Sequence, residues 1–206
     1  MTGGMSPAFG VLVSGNGTNL QAILDAIQSG SLAARVTCVI SNRTDAMALE
    51  RASRAGIPAL AIRHQTFESR EAFDRALVAA LREHGVDWVV LAGFMRVLTP
   101  ELLRAFPGRV VNVHPSLLPA FPGRDAQRQA LEHGVKVTGC TVHFVDEGVD
   151  SGPIIAQRAV EVQAADTLDT LSQRIHAAEH ELFVGVLKEI ADGRLAPSNT
   201  AQRPRG

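Results

Sequence analysis

The chain has 206 residues, of which 46% are hydrophobic and 20% charged, and its formal net charge at pH 7 is −1. This composition is typical of a globular protein and excludes a chain that is disordered along its length. Because there is no basic excess, the chain as a whole has no electrostatic attraction to nucleic acid or to an anionic membrane.

Short β-branched runs alternate with longer helical patterns along most of the chain, which indicates repeated βαβ units and a parallel sheet. The predicted strands lie near 9–13, 35–41, 58–62, 87–92 and 109–113. The predicted helices lie near 19–29, 44–55, 69–84, 100–105 and 124–133. Two extended runs, 136–145 and 153–163, predict a hairpin-like extension of the sheet, and 167–191 predicts a long amphipathic helix.

These elements predict an α/β fold with three layers, Rossmann-like, in which a mostly parallel sheet carries a C-terminal antiparallel strand extension. We expect one domain over residues 1–206 with a disordered tail at about 197–206. The chain starts without the apolar region of a signal peptide and has no apolar run of membrane-spanning length, so we expect a cytoplasmic protein. Cys38 and Cys140 lie in apolar strand-like segments, which predicts reduced core residues.

A glycine-rich turn, Ser14-Gly15-Asn16-Gly17-Thr18-Asn19, follows the first predicted strand and opens the first helix. Free backbone amides and the helix dipole favour an anion at such a turn, so it predicts a phosphate site. Leu20 replaces the third glycine of a dinucleotide motif, and Ser41-Asn42-Arg43 lacks the acid that binds the ribose of NAD. The turn therefore favours a phosphate ester over a dinucleotide, although similar turns are common in α/β folds.

Asn112 and His114 stand two residues apart at the end of a predicted strand, so their side chains point to the same side of the sheet. Asp150, in a glycine-containing loop between the late extended runs, is the predicted partner of His114. A carboxylate beside an imidazole favours the protonated ring, which stabilises an oxyanion or donates a proton, and Asn112 adds a neutral amide donor. The alternative is that these side chains only cap turns and satisfy local hydrogen bonds.

These three residues, the glycine-rich turn, the run His114-Pro115-Ser116-Leu117-Leu118-Pro119 and the segment Gly93-Phe94-Met95-Arg96 together resemble one family over roughly residues 10–193. It is the family of phosphoribosylglycinamide formyltransferases of purine synthesis. The resemblance implies direct transfer of a formyl group from 10-formyltetrahydrofolate to the amine of glycinamide ribonucleotide. It implies a tetrahedral intermediate, 10-formyltetrahydrofolate as co-substrate and no metal.

The resemblance also implies a role for each of several residues, with Asn112, His114 and Asp150 as the catalytic set. The ribonucleotide would be bound by Gly17, Thr18, Asn19, His176, Ala177, Ala178 and Glu179. The folate would be bound by Arg70, Met95, Arg96, Val97, Leu98, Asn112, Asp146, Glu147, Gly148, Val149 and Asp150. The expected partners are small-molecule substrates, with no nucleic acid and no membrane, and the expected state is a monomer or weak homodimer. The chain departs from the family where Arg124-Asp125-Ala126-Gln127 replaces a segment that often carries a histidine.

Other functions remain open from the sequence. The segment His176-Ala177-Ala178-Glu179-His180 matches the H-x-x-E-H pattern of a class of zinc peptidases. Formyltetrahydrofolate hydrolase and methionyl-tRNA formyltransferase share the catalytic set, but we expect each to need a further domain that 206 residues do not accommodate. A regulatory nucleotide-binding module would need only the glycine-rich turn. Among the remaining histidines, His64, His84 and His133 are predicted to face solvent, and His143 to be structural near the site.

Overall fold

A computed structural model of the protein describes residues 6–198. The strands are β1 (Ala8–Val13), β2 (Arg35–Ser41), β3 (Ala59–Ala61), β4 (Trp88–Leu91), β5 (Val110–His114), β6 (Val137–Phe144) and β7 (Ile154–Glu161). The helices are α1 (Thr18–Gln28), α2 (Met47–Arg54), α3 (Arg70–Glu83), α4 (Pro100–Ala105), α5 (Ala126–Glu132) and α6 (Leu168–Ala191). Each corresponds to a predicted element.

Two details differ from the prediction. The helix predicted near 44–55 begins only at Met47, because residues 43–45 form a turn in which Arg43 pairs with Asp45. A turn of 3-10 helix at His64–Thr66, which the sequence pattern does not reveal, follows β3.

The seven strands form one sheet in the order β3-β2-β1-β4-β5-β6-β7. The first five strands are parallel, while β6 pairs antiparallel with β5 and β7 pairs antiparallel with β6. The predicted α/β fold, its parallel part and its antiparallel extension are therefore confirmed.

The sheet is covered on both faces, and β1 at its centre is buried along its whole length. Phe9, Val11 and Val13 pack in a core cluster with residues of α1, α2 and α6, whereas Leu12 packs in a second cluster with residues of α3 and α4. Alternate side chains of a strand point to opposite faces, so a doubly covered strand has an uninterrupted apolar sequence. Cys38 and Cys140 are free and buried, as predicted.

The order of the sheet fixes where ligands have access. The chain leaves β1 in one direction to β2 and returns to the other side at β4, so the ends of β1 and β4 form a topological switch point. The amide of Ser14, just after β1, donates to the carbonyl of Gly93, just after β4, at 3.0 Å. The glycine-rich turn and the segment after β4 therefore open onto the same crevice.

The disordered tail predicted at about 197–206 lies for its greater part, residues 199–206, outside the described residues. Ser198 is ordered, because its amide donates to the carbonyl of Gly108 at 2.9 Å. Within the described range of 6–198, no helix is long and apolar enough to cross a membrane.

Replacing Gly10 and Gly185 by alanine should change the free energy of unfolding in opposite directions. A Cβ at Gly10 would lie 2.4 Å from Leu81 Cδ2 and 2.8 Å from Val86 Cγ2, so Gly10→Ala overpacks the core and costs about 1–3 kcal/mol. Gly185 is exposed inside α6 and a Cβ there meets nothing within 4 Å, so Gly185→Ala stabilises the protein by about 0.5–1 kcal/mol. Urea unfolding of both variants measures the two changes, and a destabilised Gly185→Ala would contradict this account of α6.

Candidate active site

Asn112, His114 and Asp150 lie together. Asn112 and His114 project from the same face of β5, and the loop after β6 brings the carboxylate of Asp150 to them. Asp150 Oδ2 is 3.2 Å from His114 Nδ1, and Asn112 Nδ2 donates to Asp150 Oδ1 at 3.5 Å. The contact predicted between His114 and Asp150 is therefore present in the structure.

The imidazole of His114 lies between two acceptors. Its Nδ1 faces the Asp150 carboxylate at 3.2 Å, and its Nε2 faces the carbonyl oxygen of Phe121 at 2.8 Å. A neutral ring carries a proton on only one nitrogen, whereas the imidazolium donates from both. Because His114 is only 4% exposed, water cannot readily replace either acceptor.

Asp150 is held ionised by the donors around it. Burial alone would raise the pKa of its carboxyl group, but the hydrogen bond from His143, the amide of Gly123 and the charge of His114 hold that pKa below its ordinary value. The Gly123 amide donates to Oδ2 at 2.8 Å. Asp150 has φ of 50°, the left-handed region that residues with a side chain rarely adopt, so the loop geometry costs free energy in order to present this carboxylate.

His143 is a fourth member of the cluster. It is directly opposite Asn112 in the β5–β6 register and is 2% exposed. Its Nδ1 faces the Phe144 carbonyl at 2.8 Å and therefore carries a proton, while its Nε2 is 3.1 Å from Asn112 Nδ2 and 3.6 Å from Asp150 Oδ1. His143 Nε2 thus lies within reach of both the Asn112 amide and the Asp150 carboxylate, and together with the contact between Asn112 and Asp150 it fixes the orientation of that amide. The expectation that His143 is structural near the site fits this position.

A cavity of about 1090 Å³ opens at the switch point. It contains the glycine-rich turn, the ends of β2 and β4, and part of α6. Of the residues predicted to bind the ribonucleotide, Gly17, Thr18, Asn19, His176 and Glu179 line it. Ala177 and Ala178 do not, because Ala177 is exposed elsewhere on α6 and Ala178 is buried in a core cluster with Leu171 and Ile175. The side chains of these two alanines therefore do not face the cavity.

The glycine-rich turn is tightly packed against α2. Gly17 has φ of 75°, and a Cβ there would lie 2.6 Å from the Cβ of Ala48. Asn19, nine-tenths buried at the start of α1, donates from Nδ2 to Glu179 Oε2 at 3.1 Å, and its Oδ1 has no hydrogen-bond partner among residues 6–198. An unsatisfied buried amide oxygen facing a cavity is a candidate ligand contact.

A second, narrower cavity of about 70 Å³ adjoins the catalytic cluster. The predicted folate residues that line it are Arg96, Val97, Leu98, Asn112, Asp146, Gly148, Val149 and Asp150. Met95 lines the larger cavity instead, and Glu147 is exposed outside both. Arg70 also lies outside, where its Nη2 donates to the Val97 carbonyl at 3.0 Å and holds the segment after β4.

Several lining residues were not predicted. In the small cavity they are Leu91, Phe94, His143 and Val145, and in the large one they include Asn42, Arg43, Thr44, Asp45, Arg63, His64 and Gln65. The second group follows β2 and β3, so the rule that ligands bind at the carboxyl ends of parallel strands would have found it. Arg124 and Gln127, from the segment that departs from the family pattern, also line the large cavity.

Two of the three histidines predicted to face solvent are half-buried. His64 lines the large cavity with Nδ1 3.3 Å from Asn42 Nδ2, and His84 Nδ1 is 2.8 Å from the Ala80 carbonyl, so the prediction was wrong for both. His133 is exposed.

The H-x-x-E-H segment on α6 has no metal-site geometry. Within residues 6–198, no group of three or more His, Cys, Asp or Glu side chains is arranged to hold a metal ion. Glu179 is instead occupied by the hydrogen bond from Asn19, and His176 Nε2 is 3.5 Å from Gln127 Nε2.

Comparison with known proteins identifies relatives along nearly the whole chain. Residues 9–187 match the sequence profile of the Formyl transferase family. A trifunctional purine biosynthetic protein adenosine-3 from Drosophila melanogaster is 51% identical over 185 residues, which are 89% of this chain but 14% of that protein. The phosphoribosylglycinamide formyltransferase of Bacillus subtilis is 45% identical over 182 residues, 88% of this chain and 93% of that protein.

A crystal structure of glycinamide ribonucleotide transformylase 1 from Symbiobacterium toebii superposes with a TM-score of 0.92 at 55% identity. The match covers 95% of this chain and 92% of that one. The chain thus corresponds to about one seventh of the length of the first trifunctional relatives, and to nearly all of the shorter ones.

Glu179 should give the protein a pH-dependent stability. Burial raises the pKa of its carboxyl group from 4.5 to about 7, against the smaller opposing effect of the hydrogen bond from Asn19. Between pH 4.5 and about pH 7 the folded protein keeps a proton on Glu179 that the unfolded chain has released. The free energy of unfolding therefore falls as pH rises through this range. Glu179→Gln should remove this loss and be more stable than the wild type by about 3 kcal/mol at pH 8, and by less than about 1 kcal/mol at pH 5.

Urea unfolding at the two pH values measures the difference. Burial lowers the pKa of His176 and of His180, which reduces stability at acid pH, but both residues are shared by wild type and variant. The control is Glu181→Gln, an exposed residue of α6 whose carboxylate pairs with Arg158. A difference that does not grow with pH would contradict a protonated Glu179.

Proposed function

This chain belongs to the formyl transferase family, and we propose that it transfers the formyl group of 10-formyltetrahydrofolate to the amine of glycinamide ribonucleotide. The observation that carries this proposal is the cluster of Asn112, His114 and Asp150, of which Asn112 and Asp150 line the narrow cavity, whereas Val113 and Pro115, the chain neighbours of His114, line the large one. One cavity has a phosphate-binding turn at its end and the other adjoins the amide and carboxylate of the cluster. Two substrates can therefore meet at one set of polar groups.

The nucleophile is the amine of the ribonucleotide itself. The two thiols of the chain are unsuitable, because burial raises the pKa of Cys38 to about 11 and of Cys140 to about 12, so both are protonated at neutral pH. The amine attacks the formyl carbon and forms a carbon–nitrogen bond, and the formyl oxygen becomes an oxyanion. Collapse of this intermediate breaks the bond to the folate nitrogen, which takes up a proton while the former amine loses one, through water.

Asn112 and His114 stabilise the oxyanion. Asn112 Nδ2, whose contact with Asp150 Oδ1 is long at 3.5 Å and can be exchanged for one with the substrate, and His114 Nε2 are the donors that meet the developing charge. In the structure, His114 Nε2 donates to the Phe121 carbonyl at 2.8 Å, so that carbonyl must yield its place to the formyl oxygen. A neutral carbonyl is a weaker acceptor than an oxyanion, which makes the exchange favourable as negative charge develops.

Asp150 keeps His114 charged and in position. Its Oδ2 accepts from His114 Nδ1 and from the Gly123 amide, which fixes both the carboxylate and the ring. Because the pKa of Asp150 lies below its ordinary value, the carboxylate is ionised across the neutral range. The Asp150 charge stabilises the imidazolium that the oxyanion requires.

The ribonucleotide lies in the large cavity. The phosphate binds at the amides of Gly17, Thr18 and Asn19, where the first turn of α1 offers unpaired N–H groups and the positive end of its dipole. Glu179, with His176 beside it, accepts from the hydroxyl groups of the ribose. This places the amine toward Val113 and Pro115, next to the catalytic cluster.

The folate lies on the other side of the cluster. Arg96 to Leu98 and Asp146 to Asp150 flank the narrow cavity, with Phe94 and Leu91 as its apolar wall. Val97 and Val149, exposed by 45% and 52%, are the apolar side chains at its mouth that a ring system would cover. Arg70 and Arg96 supply charge for the glutamate of the folate.

The direct test mixes the purified protein with glycinamide ribonucleotide and 10-formyltetrahydrofolate. We expect the absorbance change of folate deformylation together with a ribonucleotide product heavier by one carbonyl group in mass spectrometry. Folate deformylation without a heavier ribonucleotide would point to hydrolysis instead, and an inactive protein that still binds folate would support the regulatory alternative.

The catalytic assignment predicts a loss of kcat at His114 and Asp150. His114→Ala and Asp150→Ala should each lower kcat by about 10²–10⁴-fold. The first variant removes the charged donor to the oxyanion, and the second removes the carboxylate that stabilises the charge on that donor. The KM values should change much less than kcat. The matched control is His84→Ala at the C-terminal end of α3, which leads into the start of β4 at the edge of the sheet opposite the site, and this variant should retain wild-type kinetics. Full activity of His114→Ala would contradict the assignment.

A further inference from the structure

The peptide groups of the glycine-rich turn are oriented by contacts on the side away from the cavity. The carbonyl of Gly15 accepts from the amide of Ala48 at 3.1 Å, and the carbonyl of Gly17 accepts from the amide of Gln21 at 2.9 Å. The carbonyl of Asn16, between them, accepts from Arg51 Nε at 2.8 Å. All three carbonyls are thus satisfied by groups of the protein.

The amides of the turn are not satisfied in this way. Within the described part of the chain, none of the backbone N–H groups of residues 15–19 donates to another group. In a trans peptide the C=O and the next N–H point in opposite directions. A carbonyl held toward α2 therefore directs the following amide toward the cavity, and the carbonyl of Asn16 sets the direction of the Gly17 amide.

Arg51 contributes more than one bond to this turn. Its Nη2 donates to the side-chain oxygen of Asn16 at 3.2 Å, and its Nη1 donates to Gln21 Oε1 at 3.1 Å on the first turns of α1. The guanidinium of α2 is thus bonded to the main chain and side chain of the turn and to the helix that follows. Arg51 does not itself line the cavity.

Of the peptide groups in the turn, the one between Asn16 and Gly17 most needs a hydrogen bond to fix its orientation. Gly17 has φ of 75°, and a glycine at this position lets the peptide turn over without a steric penalty from a side chain. A reversed peptide would present the Asn16 carbonyl oxygen to the phosphate in place of the Gly17 amide. That exchange replaces an attractive contact with a repulsive one.

We propose that Arg51 is a positioning residue for the phosphate of the substrate, acting through the Asn16–Gly17 peptide rather than by contact. This inference rests on the proposed function, since it assumes that the glycine-rich turn binds the phosphate of the ribonucleotide. The unpartnered Oδ1 of Asn19 beside the turn is an acceptor, so it supports a ligand there that carries a donor such as a sugar hydroxyl, independently of Arg51. Arg51 then determines affinity for the phosphate and leaves the chemical step unchanged.

The test compares two substrates that differ only in the phosphate, glycinamide ribonucleotide and its dephosphorylated ribonucleoside. Arg51→Ala should raise KM for the ribonucleotide by about 10- to 100-fold, the loss expected for hydrogen bonds that involve a charged group. Its kcat and its KM for 10-formyltetrahydrofolate should stay within about threefold of wild type, and so should kcat/KM for the ribonucleoside. Arg51→Lys keeps the charge without the forked geometry, so its loss should be intermediate.

The matched control is Arg54→Ala, one turn along α2, whose guanidinium pairs with exposed Glu50 at 2.5 Å and contacts no part of the turn. It should show wild-type kinetics with both substrates. A change in Arg51→Ala that is equal for ribonucleotide and ribonucleoside would overturn the inference, because it would reflect a general loss of structure. An unchanged KM for the ribonucleotide, in an enzyme that turns it over, would also overturn it and leave the proposed function intact.

A measurement without turnover separates the two proposals. Inorganic phosphate is titrated into uniformly ¹⁵N-labelled protein, and the amide shifts of Gly17 and Thr18 are followed. We expect saturable shifts in wild type and in Arg54→Ala, and about tenfold weaker binding in Arg51→Ala. If the wild-type amides do not respond to phosphate, the phosphate site fails together with the inference. If wild type and Arg51→Ala respond equally, only the role of Arg51 fails.

Discussion

The site depends on one partly buried carboxylate that holds three segments of the chain in place. Asp150 contacts His114 on β5, His143 on β6 and the amide of Gly123 in the loop between β5 and α5. Each contact lowers the free energy of the charged form, and together they outweigh the cost of burying it. The same ionised group therefore orders the two loops around the site and accepts a hydrogen bond from the imidazole of His114.

The edge of the sheet explains how residues that are distant in the chain come together near this carboxylate. Five parallel strands end at one edge, so the glycine-rich turn after β1 and the polar pair on β5 lie at the same edge although almost one hundred residues separate them. The antiparallel β6 then brings His143 opposite Asn112 and returns the chain through the loop that carries Asp150. Parallel strands supply most of the lining of the large cavity, and the antiparallel extension completes the narrow one.

Much of this arrangement could be predicted from sequence, because it depends on local patterns. The uninterrupted apolar sequence of β1 predicts a buried strand, and the glycine-rich turn predicts the start of a helix. The spacing of Asn112 and His114 predicts that both side chains point to one face of the sheet. The partners of buried groups could not be predicted in the same way. The bond between Asn19 and Glu179 joins residues 160 positions apart, and the contact of Arg51 with Asn16 joins residues 35 apart, so only the folded chain shows them. The contact between the Phe121 carbonyl and His114 Nε2 depends on the conformation of a loop, which no local sequence pattern predicts.

In the proposed mechanism, Asn112 and His114 meet the oxyanion of a transferred formyl group. The most direct measurement is a crystal structure with a bisubstrate analogue in which a hydrated ketone, a stable tetrahedral carbon, links the ribonucleotide to the folate. One oxygen of that carbon should lie at about 2.7–3.1 Å from both Asn112 Nδ2 and His114 Nε2, with the Phe121 carbonyl displaced from the ring. A tetrahedral carbon bound elsewhere in the cleft, with the Phe121 carbonyl still on His114 Nε2, would contradict the account.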